Sequence, residues 1–160
     1  MTKVDSQVTE LIGRNILTAQ LLLAGLEVAL PMRDRGTDLV IYRDLPERKT
    51  RFECLPLQMK AAAKESFSVD RKYEKFPDLL HVHVWNIASA GEDHPVFAMT
   101  YAHAIAVAES MGWTRTTTWE KKGSYTTTQP SAKLKELLRQ HLMTPERWRN
   151  VFSIVGRSAG

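Results

Sequence analysis

Residues 35–61 read RGTDLVIYRDLPERKTRFECLPLQMKA, and the fold is decided there. Gly36-Thr37-Asp38 is a turn-forming trio that leads into an apolar run, Leu39-Val40-Ile41-Tyr42. β-Branched and aromatic residues dominate that run, as they do in strands. A charged turn, Pro46-Glu47-Arg48-Lys49, follows, and a second run ends in Gln58-Met59-Lys60. The pattern predicts strands over residues 37–43 and 51–60, paired as an antiparallel hairpin. Side chains alternate across a strand, so Asp38, Val40 and Tyr42 share one face and Leu39 and Ile41 the other. Gln58 and Lys60 share a face by the same rule, with Met59 pointing away. A hairpin centred near Glu47 and Arg48 sets position 38 against about position 57. Pro56 cannot donate a ladder hydrogen bond, which predicts a bulge or a strand edge there.

Upstream, residues 6–25 predict a helix. Val8, Leu11, Ile12, Asn15, Ile16, Ala19, Leu22 and Leu23 form a stripe at helical spacing, the expected buried face. Leu17, Leu21 and Ala24 lie off that stripe, so the helix is apolar over much of its circumference. Asp5 or Ser6 can cap its start, and Gly25 can end it. Glu10 and Arg14 stand one turn apart and can pair. Residues 26–31 predict a first strand, stopped by Pro31.

Downstream, residues 64–76 read as a polar loop with a turn of helix, and residues 78–87 as a buried fourth strand. Residues 100–111 predict a second long helix, ended by Gly112. Residues 114–128 suit an extended hairpin or an ordered loop. Residues 131–142 predict a third helix, and Thr144-Pro145-Glu146 starts a last one. The order is α-β-β-β-β-α, then a short extended region and two helices. That gives an α+β fold with a mixed sheet, a single domain over residues 1–155 and a flexible tail over 156–160.

The composition is that of a globular chain of 160 residues, 43% apolar and 25% charged. No apolar run is long enough for a membrane span, and the start shows no signal-peptide pattern, so a cytoplasmic protein is expected. The lone Cys54 excludes an internal disulfide framework and a multi-cysteine zinc site. Its place in an apolar strand suggests a small buried hydrophobe rather than a reactive thiol. The net charge of +4 is compatible with a polyanionic partner.

Asp38, Gln58 and Lys60 bring a carboxylate, an amide oxygen and an ammonium to one end of the hairpin. Mg²⁺ takes hard oxygen ligands, a few from protein and the rest from water and phosphate. Lys60 can orient a metal-bound water and offset charge on a phosphate. Each residue alone also has a plain reading: Asp38 as a turn former, Gln-x-Lys as a solvated strand face. His81 and His83 share a strand face; they suit either zinc binding or packing. Trp113, Trp119 and Tyr125, among Arg115, Lys121 and Lys122, suit either a stacking surface for nucleic acid or a core. Glu53 is a substitute acid on the third strand.

The motif order resembles the PD-(D/E)XK superfamily, the restriction-endonuclease-like fold, and within it the small Holliday-junction-resolvase-like branch of nucleases. The residues that carry the likeness are Gly36-Thr37-Asp38-Leu39-Val40 and Gln58-Met59-Lys60, after a helix ending Leu22-Leu23-Ala24-Gly25. It covers roughly residues 6–87. The resemblance implies an αβββ(α)β core with C-terminal helices. It also implies a metal-dependent nuclease that hydrolyses phosphodiester bonds in DNA with Mg²⁺ or Mn²⁺. Asp38 and Gln58 would bind the metal, Lys60 would assist, and Glu10 of the first helix would complete the shell. A common form of that helix has Gly followed directly by Glu, where this chain has Gly13-Arg14. Resolvase-like relatives act as dimers, so a homodimer is expected. The alternative is a catalytically inactive domain that binds nucleic acid or a protein partner; Gln58 and Arg14 are what a decayed site would carry.

Overall fold

A computed structural model describes residues 5–33, 35–44, 52–91 and 93–156. Asp5 caps the first helix, α1 (Ser6–Leu23), its carboxylate accepting the Gln7 N–H. Gly25, at φ 81°, takes the left-handed position just past the helix that glycine alone adopts freely. The chain turns there into β1 (Leu26–Ala29), then β2 (Leu39–Arg43) and β3 (Cys54–Ala61). The expected turn over residues 46–49 lies outside the described residues.

β4 (Phe67–Asp70) and a 3₁₀ turn, Arg71–Tyr73, lead to β5 (Leu80–Val84) and β6 (Val96–Met99). α2 (Tyr101–Ser110), a second 3₁₀ turn and α3 (Thr117–Lys122) follow, then β7 (Ser124–Thr127). α4 (Ala132–Arg139), α5 (Pro145–Arg149) and α6 (Val151–Gly156) close the chain. The expected tail begins at residue 156, where α6 ends; residues 157–160 lie outside the described residues.

The main sheet has the order β1-β2-β3-β5-β6. β3 and β5 run parallel; the other neighbours are antiparallel. β4 and β7 pair as a separate two-stranded sheet. The fold is therefore α+β with a mixed five-stranded sheet. β4 lies where the sequence predicts a loop. β7 takes the extended part of residues 114–128, preceded by the unforeseen α3. β6 was not foreseen either.

Alternation splits the core into two layers. Leu39, Ile41, Leu55, Leu57, Met59, Leu80 and Val82 face α1 together with Trp148 and Val151. On the other side, Phe67, Phe97 and Met99 pack with Trp113, Trp119 and α4's Leu134 and Leu138. Each fully buried Leu contributes about 1.5–3 kcal/mol.

α1 presents the opposite face from the one its longest stripe suggests. Thr9, Gly13, Leu17 and Leu21 are buried, whereas Val8, Leu11, Ile12, Leu22 and Leu23 are exposed. Gly13 decides this. A Cβ built on it would stand 2.5 Å from the Ala61 Cβ, so the helix lies close on β3 only along its glycine face.

Pro56 brings no bulge. The β2–β3 register runs one to one from Leu39↔Leu57 to Tyr42↔Cys54, straight through Val40↔Pro56. The β5 ladder begins only at Leu57↔Leu80, so Pro56 lies in the half of β3 that has a partner on one side alone. Cys54 is exposed rather than buried. Leu55, Leu57 and Met59 take the core side of β3, and Cys54 falls on the other parity at the strand's open end.

Candidate active site

Gln58 and Lys60 point away from α1, because Leu57, Met59 and Ala61 point toward it. The parallel register sets Gln58 beside His81 and Lys60 beside His83. All four line one cleft of about 130 Å³. The second sheet and the turn after it roof this cleft with Ser68, Asp70, Tyr73, Ser124 and Thr126, and α2 adds Tyr101.

Asp38 sits one residue before β2. Its N–H donates to the Leu57 carbonyl at 2.8 Å, and its carboxylate accepts the Met59 N–H at 2.7 Å. The two bonds grip β3 on either side of Gln58. The side chain thus continues the ladder where the β2 backbone leaves it, and its position is fixed before any ligand arrives. Asp38 is half-buried, Gln58 half-buried and Lys60 exposed, so the end of the hairpin is open to a ligand.

Glu10 is not part of this group. It stands on α1, across the sheet from Gln58 and Lys60, and pairs with Arg14 at 2.7 Å. Glu53 is exposed and lies 3.8 Å from Arg43. Among the described residues, no three His, Cys, Asp or Glu side chains are placed to share a metal ion.

His81 and His83 are packed strand residues. His83 lies against Phe67 at 4.9 Å, and His81 meets Tyr73 edge-on at 4.7 Å. Burial lowers the His81 pKa to about 4, with Lys60 adding, and that of His83 to about 3, with His81 and Lys60 adding. Both rings are therefore neutral at neutral pH, which leaves the positive charge of this cleft to Lys60 and to Lys72, the latter paired with Asp70 at 3.4 Å. His81 is 8% exposed and its Nε2 is buried with no hydrogen-bond partner. Burial, with Glu74 adding, raises the Tyr101 phenol, so it stays a neutral hydroxyl.

Trp113 and Trp119 are buried, and Trp113 stacks on Tyr125 at 4.4 Å. Their faces serve the core. The sequence reading missed the roof of the cleft, above all Asp70, Lys72 and Tyr73. Its signal was present in SFSVDRKYEKFP: alternating apolar residues up to Val69, then an Asp whose carboxylate caps the turn by accepting the Lys72 N–H. Among the described residues, no helix is long and apolar enough to cross a membrane. No family model, curated protein or solved structure matches the chain.

Proposed function

We propose that this chain is a nuclease domain of the restriction-endonuclease-like type that hydrolyses phosphodiester bonds in DNA with Mg²⁺ or Mn²⁺. The observation that carries the reading is Asp38 clasped to β3 on either side of Gln58, with Lys60 two residues further on the Gln58 face. The strand order supports it: α1, an antiparallel β1-β2-β3 run, then a parallel return through β5. The donors suit a Mg²⁺ that takes most of its ligands from water and phosphate. They are too few for a cage built from protein alone.

Asp38 and Gln58 would hold the ion. A bound ion there supplies an activated water and offsets phosphate charge. The Met59 N–H keeps the Asp38 carboxylate from swinging away. Lys60 donates to the attacking water or to a non-bridging phosphate oxygen, without a second cation from His81 to compete. The hydroxyls of Ser68, Ser124 and Thr126 are within the same cleft to orient the phosphate. A homodimer belongs to this reading, and the exposed stripe on α1 supports it.

A second reading keeps the fold and drops the chemistry: a silent domain that binds nucleic acid or a protein partner. The Glu10–Arg14 pair favours it, because it holds the expected fourth site residue on the far side of the sheet. Titration of Mg²⁺ and Mn²⁺ against branched, single-stranded and duplex DNA separates the two. Cleavage that disappears in Asp38→Asn and Lys60→Ala supports the nuclease. DNA binding with no cleavage of any substrate sinks it.

A further inference from the structure

A groove of about 1190 Å³ opens beside the Gln58–Lys60 cleft and shares Asp70, Lys72 and Tyr73 with it. Its lining also includes residues 35–37, which lead directly into Asp38. Pockets for small molecules run to about 300–1,000 Å³, so this groove suits a length of polymer. Arg35, Lys75, Lys121 and Lys122 line it and make no ion pair among the described residues. Phe76 also lines it, with 49% of its surface exposed and the Lys75 ammonium 5.5 Å from its ring.

An exposed phenyl ring among unpaired cations is the combination that holds single strands, where a base stacks and its neighbouring phosphates meet the charges. In a duplex the bases stack on one another, and the ring gains nothing. Glu74, Asp78 and Glu120 share the lining and keep its net charge low. Phosphate neutralisation alone then gives little affinity, and stacking becomes decisive.

We propose that this groove is a track for single-stranded DNA. An unpaired base stacks on Phe76, phosphates lie at Arg35, Lys75, Lys121 and Lys122, and the strand runs to the cleft at Gln58 and Lys60. The inference rests on the nuclease reading for the identity of the strand, and it narrows the substrate to single-stranded or frayed DNA.

Fluorescence anisotropy in EDTA, with labelled oligo(dT) and a labelled duplex of equal length, tests it apart from any cleavage. The expected result is tighter binding of the single strand. Phe76→Ala should weaken that binding about tenfold, the scale of one stacking contact, with Phe76→Tyr restoring it and the duplex unaffected. The Lys121→Ala/Lys122→Ala pair should flatten the salt dependence. Binding is read in EDTA and cleavage in Mg²⁺, so loss of cleavage and loss of the track are read separately. Equal or tighter duplex binding, or an indifferent Phe76→Ala, overturns the proposal even if the protein cleaves DNA.

Discussion

A carboxylate oxygen of Asp38 accepts the backbone N–H of Met59 at 2.7 Å, across the end of the β2–β3 ladder. The bond gives Asp38 a structural duty beside its proposed chemical one, and two substitutions separate them. Asp38→Asn keeps an oxygen for the Met59 N–H and loses the charge. It should stay within about 1 kcal/mol of wild-type stability while abolishing metal-dependent cleavage. Asp38→Ala strands a half-buried donor and should cost about 1–3 kcal/mol in urea unfolding. Equal stability losses in the two variants would show that the hydrogen bond contributes little.

Gly13 against Ala61 is the second tight relationship, and it sets the seat of α1. In an exposed helix, Gly→Ala stabilises by roughly 1 kcal/mol. Here the added methyl would lie 2.5 Å from the Ala61 Cβ, which is fixed to the β3 backbone and cannot swing aside. Overpacking of this kind costs about 1–3 kcal/mol, so Gly13→Ala should be destabilising on balance. The double variant Gly13→Ala/Ala61→Gly should recover most of the loss. Thermal melts of the three proteins decide it, and a more stable Gly13→Ala would mean that α1 sits further from β3.

These two contacts also show what the sequence discloses. The hairpin was legible because alternation and turn chemistry are local: counting residues around one turn sets Asp38 against about residue 57, and the register, with Leu39 opposite Leu57, moves it one residue further. Gly25 and Gly112 end their helices for the same local reason, each with positive φ. The seat of α1 was not legible, because it is apolar on two faces. Only the partner residue Ala61 tells which face goes in. The alternation at Phe67 and Val69 marks β4 locally, but its partner β7 is far along the chain, with Phe67 opposite Thr127. Nothing near Phe67 announces that pairing, and so the roof of the candidate site was missed with it. Lys60 beside His83 depends likewise on a crossover that the local pattern leaves open.

Acid should destabilise the fold through histidines that are buried neutral. Burial holds His83 at about 3 and His141 at about 4, the latter also facing His103 and Arg147. Their folded values lie below the roughly 6.5 of an unfolded chain. Above pH 6.5 both states are neutral and the groups have no effect. As the pH falls from 6.5 toward 4, the unfolded chain takes up protons that the folded one refuses. Each such histidine then removes about 1.4 kcal/mol of stability per pH unit. Urea midpoints measured between pH 7 and pH 5 should fall steeply, and His141→Gln should flatten the slope by about one proton. An unchanged slope would mean that His141 titrates normally.

The exposed stripe on α1 should mediate self-association. Leu11 is 55% exposed and Leu22 51%, three helical turns apart in one row, with Val8 at 45% and Leu23 at 80% flanking it. Eighteen residues of helix span about 27 Å, long enough to lay one copy's stripe along another's. A two-fold axis would set the same leucines against each other, a self-complementary contact that needs no second surface. The stripe lies across the sheet from the Gln58–Lys60 cleft, so pairing there leaves both clefts open. Sedimentation should therefore find a dimer whose dissociation is promoted by Leu11→Glu/Leu22→Glu. These are exposed positions, so the monomeric variant should melt near the wild-type temperature at low protein concentration and keep its oligo(dT) affinity. A wild-type monomer at every concentration would remove the homodimer from the functional reading.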